Sequence, residues 1–70
     1  MMTVAEKIKH LRTTTGITQG ELAKLLDVEA SSVEKWEHGQ VESIPISKIK
    51  AMTKIFDVDP SYLIEDEVDT

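Results

Sequence analysis

Residues 18–39 read TQGELAKLLDVEASSVEKWEHG and hold two short helical patterns separated by a turn. Thr18 and Glu21 have the spacing of a capping box, in which each side chain accepts a hydrogen bond from the other residue's backbone N–H. This box predicts a helix over residues 19–26. Ala23, in its middle, is small enough for a second helix to cross it closely.

The second helix of this stretch is predicted over residues 30–38. Residues 27–28 form the break before it, and Gly39 ends it because glycine readily adopts the left-handed conformation of a helix C-terminus. Its start is ambiguous, since Glu29 is a poor N-cap and residues 31–34 (SSVE) form another acceptable capping box. A helix, a short turn and a second helix together make a helix-turn-helix.

One more helix is predicted before this motif. Thr3 and Glu6 form a capping box and Gly16 supplies a stop, which together predict a helix over residues 4–14. After the motif, residues 39–44 form a polar connection.

Two prolines mark the starts of the last two helices. Pro45 suits the first helical turn because its missing N–H has no intrahelical partner there, which predicts a helix from Pro45 to Phe56. Asp59, as an acidic N-cap before Pro60, predicts a short fifth helix. Strand patterns are almost absent, so the sequence predicts a compact, all-α, five-helix fold.

Apolar residues at helical spacing predict the core of this fold. Trp36 could instead stack on nucleic acid, but its three-residue spacing from Val33 favours a core position. The predicted core residues are Ile8, Leu11, Leu22, Ala23, Leu26, Val28, Val33, Trp36, Ile46, Ile49, Met52, Phe56 and Leu63.

The acidity of the chain lies mainly at its C-terminal end. The formal net charge is −5, yet residues 57–70 hold six acidic residues and no basic one, whereas residues 1–56 hold eight basic and seven acidic residues. Seventy residues suffice for one domain. We place that domain at residues 1–64 and an acidic tail at 65–70, interpreted as a solvated terminus, with autoinhibition or partner binding as the alternative.

Composition and motifs argue against several classes of protein. The absence of cysteine excludes disulfides, Cys-based zinc sites and a cysteine nucleophile. The longest apolar run, residues 62–64, is far shorter than the ~20 residues of a membrane span, and no signal-peptide pattern is present. His10 and His38 lack further metal ligands, so we expect no metal. No Gly-rich loop, carboxylate pair or Ser/His/Asp set indicates an enzyme, a cofactor or a small-molecule substrate.

An ordered set of residues carries a family resemblance. It comprises Ile8-Lys9, Leu11-Arg12, Gly16-Ile17-Thr18-Gln19, Glu21-Leu22-Ala23-Lys24, Leu26, Val28, Ser31-Ser32-Val33, Lys35-Trp36-Glu37, Gly39 and Asp57-Val58-Asp59-Pro60-Ser61-Tyr62-Leu63. This set resembles the lambda-repressor-like helix-turn-helix family, the phage repressor and Cro type, often called the XRE type. The resemblance covers about residues 4–64 and implies that helices 2 and 3 form the motif, with helix 3 in the DNA major groove.

The resemblance implies which side chains face the bases. They are Ala30, Ser31, Ser32 and Lys35, with Glu34 at the margin. Ala30 can contact a thymine methyl group, and Lys35 can donate to a guanine O6 or N7 or to a phosphate. Glu34 repels phosphate unless it accepts from a cytosine amino group.

By the same resemblance, a second set of residues contacts phosphates: Thr18, Gln19, Lys24, His38 and Gln40. Gln19 lies in the first turn of helix 2, where free backbone N–H groups and the helix dipole favour an anion. The alternative is that Gln19 is only a solvent-exposed residue at a helix start. Lys9 and Lys48 are further candidates for positive charge on this face, or else ordinary solvated lysines.

The resemblance also implies a structural ion pair. An arginine and a glutamate of this family pair between helices 1 and 3, which predicts a partly buried pair of Arg12 and Glu37 that orients helix 3. Asp27 stands where the family usually has glycine, and aspartate tolerates left-handed backbone better than most residues.

These expectations lead to two functional hypotheses. The first is a sequence-specific, double-stranded-DNA-binding transcriptional regulator of the bacterial cytosol or nucleoid, of the phage or mobile-element repressor type. It would bind a palindromic operator as a homodimer, formed on DNA, through apolar residues near helix 5, or through a C-terminal domain outside these residues. The second is a helix-turn-helix antitoxin or adaptor that acts mainly through protein–protein contacts. An enzyme is the weakest interpretation.

Overall fold

The computed structural model describes residues 2–64, which form five α-helices. They are α1 (Val4–Thr15), α2 (Gln19–Leu26), α3 (Ala30–Glu37), α4 (Ile46–Phe56) and α5 (Pro60–Ile64), with a short 3₁₀ turn at Val41–Ser43. The predicted all-α, five-helix fold is confirmed. The predicted acidic tail, 65–70, lies outside the described residues.

Both predicted capping boxes are present. The Thr3 hydroxyl accepts from the Glu6 N–H at 3.2 Å, and the Glu6 carboxylate accepts from the Thr3 N–H at 2.9 Å. The corresponding distances between Thr18 and Glu21 are 3.0 and 2.8 Å. Each box satisfies two backbone groups that would otherwise lack partners, which fixes where α1 and α2 begin.

Three helices end on residues with left-handed backbone. Gly16 after α1 has φ 86°, Asp27 after α2 has φ 61° and Asp57 after α4 has φ 56°. Aspartate adopts this conformation at lower cost than most side chains. Asp27 therefore forms the turn between α2 and α3 without the glycine that the family resemblance leads one to expect.

The boundaries of α3 and α4 differ slightly from the predicted ones. α3 begins at Ala30, and Glu29, its N-cap, makes no side-chain capping bond. His38 is the C-cap of α3 and not its last residue. Pro45 is the N-cap of α4, with an extended ψ of 146°, so the helix begins at Ile46. Asp59 does cap α5, because its carboxylate accepts from the Ser61 N–H at 2.9 Å. That bond lowers the pKa of Asp59.

The core draws side chains from all five helices. Its buried members are Val4, Ile8, Leu22, Ala23, Leu26, Val33, Trp36, Ile44, Met52 and Leu63. Leu11, Val28, Ile49 and Phe56 are half-buried against it. Trp36 is 4% exposed, so the core interpretation is confirmed over base stacking. The most extensive helix contact is between α2 and α3, where Ala23 is 3% exposed.

The prediction that Ile46 lies in the core is wrong. Ile46 is 61% exposed, whereas Ile44 in the preceding connection is 7% exposed. Since α4 begins at Ile46, its apolar stripe reaches the core only from the next turn onward. Ile44, just before α4, is therefore the buried isoleucine where the apolar pattern predicted Ile46.

Two lysines connect helices distant in sequence. Lys48 on α4 donates to the carbonyl oxygen of Leu26 at 2.7 Å, at the C-terminal end of α2. Lys7 on α1 donates to the carbonyl oxygen of Tyr62 at 2.6 Å, and its ammonium lies 4.6 Å from the centre of the Tyr62 ring. These bonds fix α4 against the motif and α5 against α1.

Candidate nucleic-acid interface

α3 has one face locked into the core and one face open. Val33 and Trp36 are 0% and 4% exposed, which fixes the rotation of the helix about its axis. Of the predicted base-contacting residues, Ala30, Ser31, Glu34 and Lys35 are exposed and Ser32 is half-buried. A helix of eight residues is about 12 Å long, a length that the major groove accommodates.

Four of the five predicted phosphate-contacting residues lie at the two ends of the motif, and the fifth, Lys24, lies in the last turn of α2. Thr18, Lys24, His38 and Gln40 are exposed, whereas Gln19 is half-buried. The Thr18 hydroxyl already accepts the capping bond from Glu21. His38 is exposed, and its ring nitrogen Nδ1 lies 2.8 Å from the carbonyl oxygen of Glu34.

Arg12 and Glu37 are joined by two hydrogen bonds between α1 and α3. Arg12 Nε donates to Glu37 Oε2 at 2.6 Å, and Arg12 Nη2 donates to Glu37 Oε1 at 3.1 Å. The two side chains are 12% and 2% exposed. A third nitrogen, Arg12 Nη1, donates to the carbonyl oxygen of Ile17 at 2.9 Å. Arg12 therefore holds both α3 and the turn that leads into α2.

Gln19 joins this pair. Its side-chain Nε2 donates to Glu37 Oε1 at 3.0 Å. Burial raises the pKa of Glu37, but the hydrogen bonds from Arg12 and Gln19 outweigh burial, so the pKa of Glu37 is below its ordinary value. The hydrogen bond to Glu37 raises the pKa of Arg12 despite partial burial. Both groups are therefore charged at neutral pH.

Acidic and basic side chains are mixed on this surface. Lys24 and Lys35 are exposed, but so are Glu29 and Glu34, at the start and on the outer face of α3. The carboxylates lower the attraction of the surface for polyanions. Lys48, considered as a further cation for this face, instead has its ammonium bound to the carbonyl oxygen of Leu26.

The contact between Gln19 and Glu37 was not predicted. The two residues are 18 positions apart, so no helical spacing indicates that their side chains meet. The only signal in the sequence for this contact was the predicted pair of Arg12 and Glu37, because that pair places the Glu37 carboxylate near the start of α2. Neither predicted role of Gln19, a phosphate contact or a solvent-exposed helix start, involves a partner within the chain.

Two short helices, a turn through left-handed Asp27 and an outward second helix define a helix-turn-helix protein. A family model described as "Helix-turn-helix domain" matches residues 3–63. The chain therefore belongs to this family, in its lambda-repressor-like form. Within residues 2–64, no helix is long and apolar enough to cross a membrane, and no group of three or more His, Asp or Glu side chains is placed to hold a metal.

Two known proteins are similar to this chain. The HTH-type transcriptional regulator DicA of Escherichia coli (strain K12) is 33% identical over 64 residues, which are 90% of this chain but only 46% of DicA. The chain thus spans about half the length of this relative. A crystal structure of the P22 c2 repressor protein in complex with synthetic operator 9T, in the presence of Tl⁺, matches with a TM-score of 0.81 and 25% identity. That match covers 90% of this chain and 94% of the other. These relatives are regulators of transcription, not enzymes.

Proposed function

We propose that this chain is the double-stranded-DNA-binding domain of a transcriptional regulator of repressor type, with α3 in the major groove. The observation that carries the proposal is the arrangement of α3, whose inner face is fixed by buried Val33 and Trp36 while Ser31 and Lys35 are exposed. A helix held rigidly by its core face can present the other face to base edges. The likeness to a repressor solved with its operator supports the same function.

The exposed side chains of α3 suit a division of contacts. Ala30, Ser31, Ser32 and Lys35 would face base edges, with Glu34 at the margin. Lys35 is the only side chain of α3 that is a cation, so it would read a guanine O6 or N7. Glu34 would tolerate a cytosine, whose amino group donates to a carboxylate.

Phosphates would be held on both sides of the groove. On one side, Thr18, Gln19 and Lys24 belong to the start and the outer face of α2; on the other, His38 and Gln40 follow α3. Such contacts position the protein and contribute affinity that does not depend on base sequence.

The exposed Ile46 suits a homodimer. It borders an apolar groove that is also lined by Val41, Ile44 and Ile49, directly after the end of α3. A second copy seated there would form the homodimer that a palindromic operator requires, in which the two α3 helices must enter major grooves about 34 Å apart. Sedimentation equilibrium with and without a palindromic duplex tests this proposal. Ile46→Lys should abolish dimers while leaving the monomer folded, and an unchanged dimer fraction in this variant would exclude the groove.

The family and the likeness to the P22 c2 repressor protein support a regulator of phage or mobile-element type, acting in the bacterial cytoplasm.

Anisotropy of a labelled duplex, titrated with the protein at several salt concentrations, tests the DNA-binding function. Each phosphate contact should lower log K by about 0.9 per log unit of salt. Absence of binding at about 50 mM salt would overturn the proposal.

One observation favours a protein-interaction module as the second candidate. Leu25 is 59% exposed on the outer face of α2, beside Ile17 and Lys24. Leu25 and Ile17 line one groove that charged Glu21 and Lys24 border, and an apolar patch with a charged rim suits contact with a protein partner. In that case Leu25→Ser would abolish partner binding, and the DNA titration would give no signal at low salt.

A further inference from the structure

We propose that Glu37 is a positioning residue for DNA binding, because it fixes the side-chain amide of Gln19 with one N–H turned toward a backbone phosphate. This inference rests on the proposed function and adds a residue to it. Glu37 itself is too buried to touch DNA, since its side chain is 2% exposed. It would act only through Gln19.

The orientation of the Gln19 amide follows from its partner. Nε2 of Gln19 lies 3.0 Å from Oε1 of Glu37. An ionised carboxylate can only accept hydrogen bonds, so the amide nitrogen, and not the amide oxygen, must face it. The opposite orientation would bring two oxygens into contact. Glu37 itself is held by two bonds from Arg12, at 2.6 and 3.1 Å.

A fixed amide has one donor left. The nitrogen of a glutamine side chain carries two N–H groups, of which Glu37 takes one. Among residues 2–64, the second makes no hydrogen bond. Gln19 is the first residue of α2, where the positive end of the helix dipole also favours an anion. The geometry thus provides a pre-oriented donor for an acceptor-only anion such as a phosphate oxygen.

The charge of Arg12 allows a phosphate to bind near the Glu37 carboxylate. Its Nε and Nη2 donate to Glu37 and its Nη1 donates to the carbonyl oxygen of Ile17, so the guanidinium is used within the chain. The positive charge of Arg12 offsets the carboxylate of Glu37. A phosphate bound to Gln19 therefore faces a neutral pair behind the amide, not an isolated negative charge.

A thermodynamic cycle on DNA affinity tests the proposal. Gln19→Ala is made in the natural chain and in an Arg12→Met/Glu37→Leu background, which removes both charges and so leaves the net charge unchanged. Apolar replacement of a buried ion pair is often neutral for stability, and thermal unfolding verifies that each variant is folded. The probe is a labelled 20-base-pair duplex of random sequence at about 50 mM salt, because phosphate contacts are independent of sequence.

In the natural chain, Gln19→Ala should lower affinity about tenfold, the value of a hydrogen bond to a charged group. In the background without Glu37, the same change should lower it less than about twofold, because the amide is no longer oriented. An equal loss in both backgrounds would show that Glu37 is only structural, while the DNA-binding function stands. If Gln19→Ala does not lower the DNA affinity of the natural chain, Gln19 makes no phosphate contact and Glu37 does not position one. No binding by any variant would overturn the proposed function itself.

A spectroscopic measurement needs no variant of the ion pair. The two side-chain amide protons of Gln19 give separate ¹H–¹⁵N signals. In the free protein, the proton bonded to Glu37 should shift as pH falls and Glu37 is protonated, while the other does not. Addition of the duplex should shift the second proton. Equal response of both protons to pH, or of neither to DNA, would overturn the assignment.

Discussion

Arg12 on α1 and Glu37 on α3 form a two-bond ion pair across the domain, with distances of 2.6 and 3.1 Å and side chains that are 12% and 2% exposed. Loss of either partner leaves a charge that is largely shielded from water. We expect Arg12→Ala and Glu37→Ala each to cost about 3 kcal/mol of unfolding free energy. Urea unfolding followed by the fluorescence of Trp36, the single tryptophan, measures this cost.

The double variant provides the control for this prediction. In the double variant neither charge remains, so no buried charge is left without its partner. The double variant should therefore be less destabilised than the sum of the single variants, with a coupling of at least about 1 kcal/mol. Strictly additive effects would mean that the pair contributes no interaction energy to the fold.

The same pair predicts a dependence of stability on pH. The pKa of Glu37 lies below its ordinary value of 4.5 in the folded chain. Its contribution to stability is therefore complete above pH 4.5 and is lost as pH falls through the folded-state pKa. The stability difference between the natural chain and Glu37→Gln should shrink over that acidic range. Glu29→Gln is the matched control, because Glu29 is exposed and its side chain makes no capping bond. A stability difference between the natural chain and Glu37→Gln that stays constant from pH 7 to pH 3 would contradict the prediction.

Lys48 should contribute stability through the C-terminal end of α2. Its ammonium donates to the carbonyl oxygen of Leu26 at 2.7 Å, where the helix dipole is negative. Lys48→Met should lower the unfolding free energy by about 1 kcal/mol. Lys50→Met is the matched control, because Lys50 is exposed on the same helix, and it should change stability by less than about 0.5 kcal/mol. Equal effects of both substitutions would exclude a specific role for the bond.

Two glycines should respond to alanine in opposite directions. A Cβ at Gly20, in the first turn of α2, would meet only the Thr18 hydroxyl oxygen at 3.9 Å, so Gly20→Ala should stabilise by about 0.5–1 kcal/mol. Gly16 has φ +86°, so Gly16→Ala should destabilise by about 1 kcal/mol. Thermal unfolding of both variants measures the contrast. A loss of stability in Gly20→Ala would contradict the open space seen beside it.

Local signals explain why the helices could be predicted so closely. The boxes at Thr3 and Thr18 satisfy backbone groups within three residues, so sequence alone specifies where α1 and α2 begin. The positions of the left-handed residues Gly16 and Asp27 are likewise set by their neighbours along the chain. These features require no knowledge of tertiary structure.

The sequence predicted a wrong position or missed a contact where the outcome depends on how the helices pack against each other. Ile46 and Ile44 are equally apolar, and only the exact start of α4 determines which of them is buried. Lys48 resembles any exposed lysine in the sequence, because its partner Leu26 is 22 residues away. The hydrogen bond from Gln19 to Glu37 depends on how α2 and α3 cross. Contacts of this kind depend on side chains that meet only after the helices have packed.

The division of DNA contacts between bases and phosphates leads to the last prediction. Lys35 is exposed on the outer face of α3, whereas Lys24 is exposed on α2, away from the bases in the proposed complex. Selection of bound sites from a random DNA pool identifies the operator, and affinities for that site and its single-base variants then compare two alanine variants. Lys35→Ala should reduce discrimination at one base pair by about 1–3 kcal/mol. Lys24→Ala should weaken all sequences alike and reduce the salt slope by about 0.9. If Lys35→Ala instead weakens every sequence equally, its ammonium binds a phosphate, and base recognition must depend on the serines of α3.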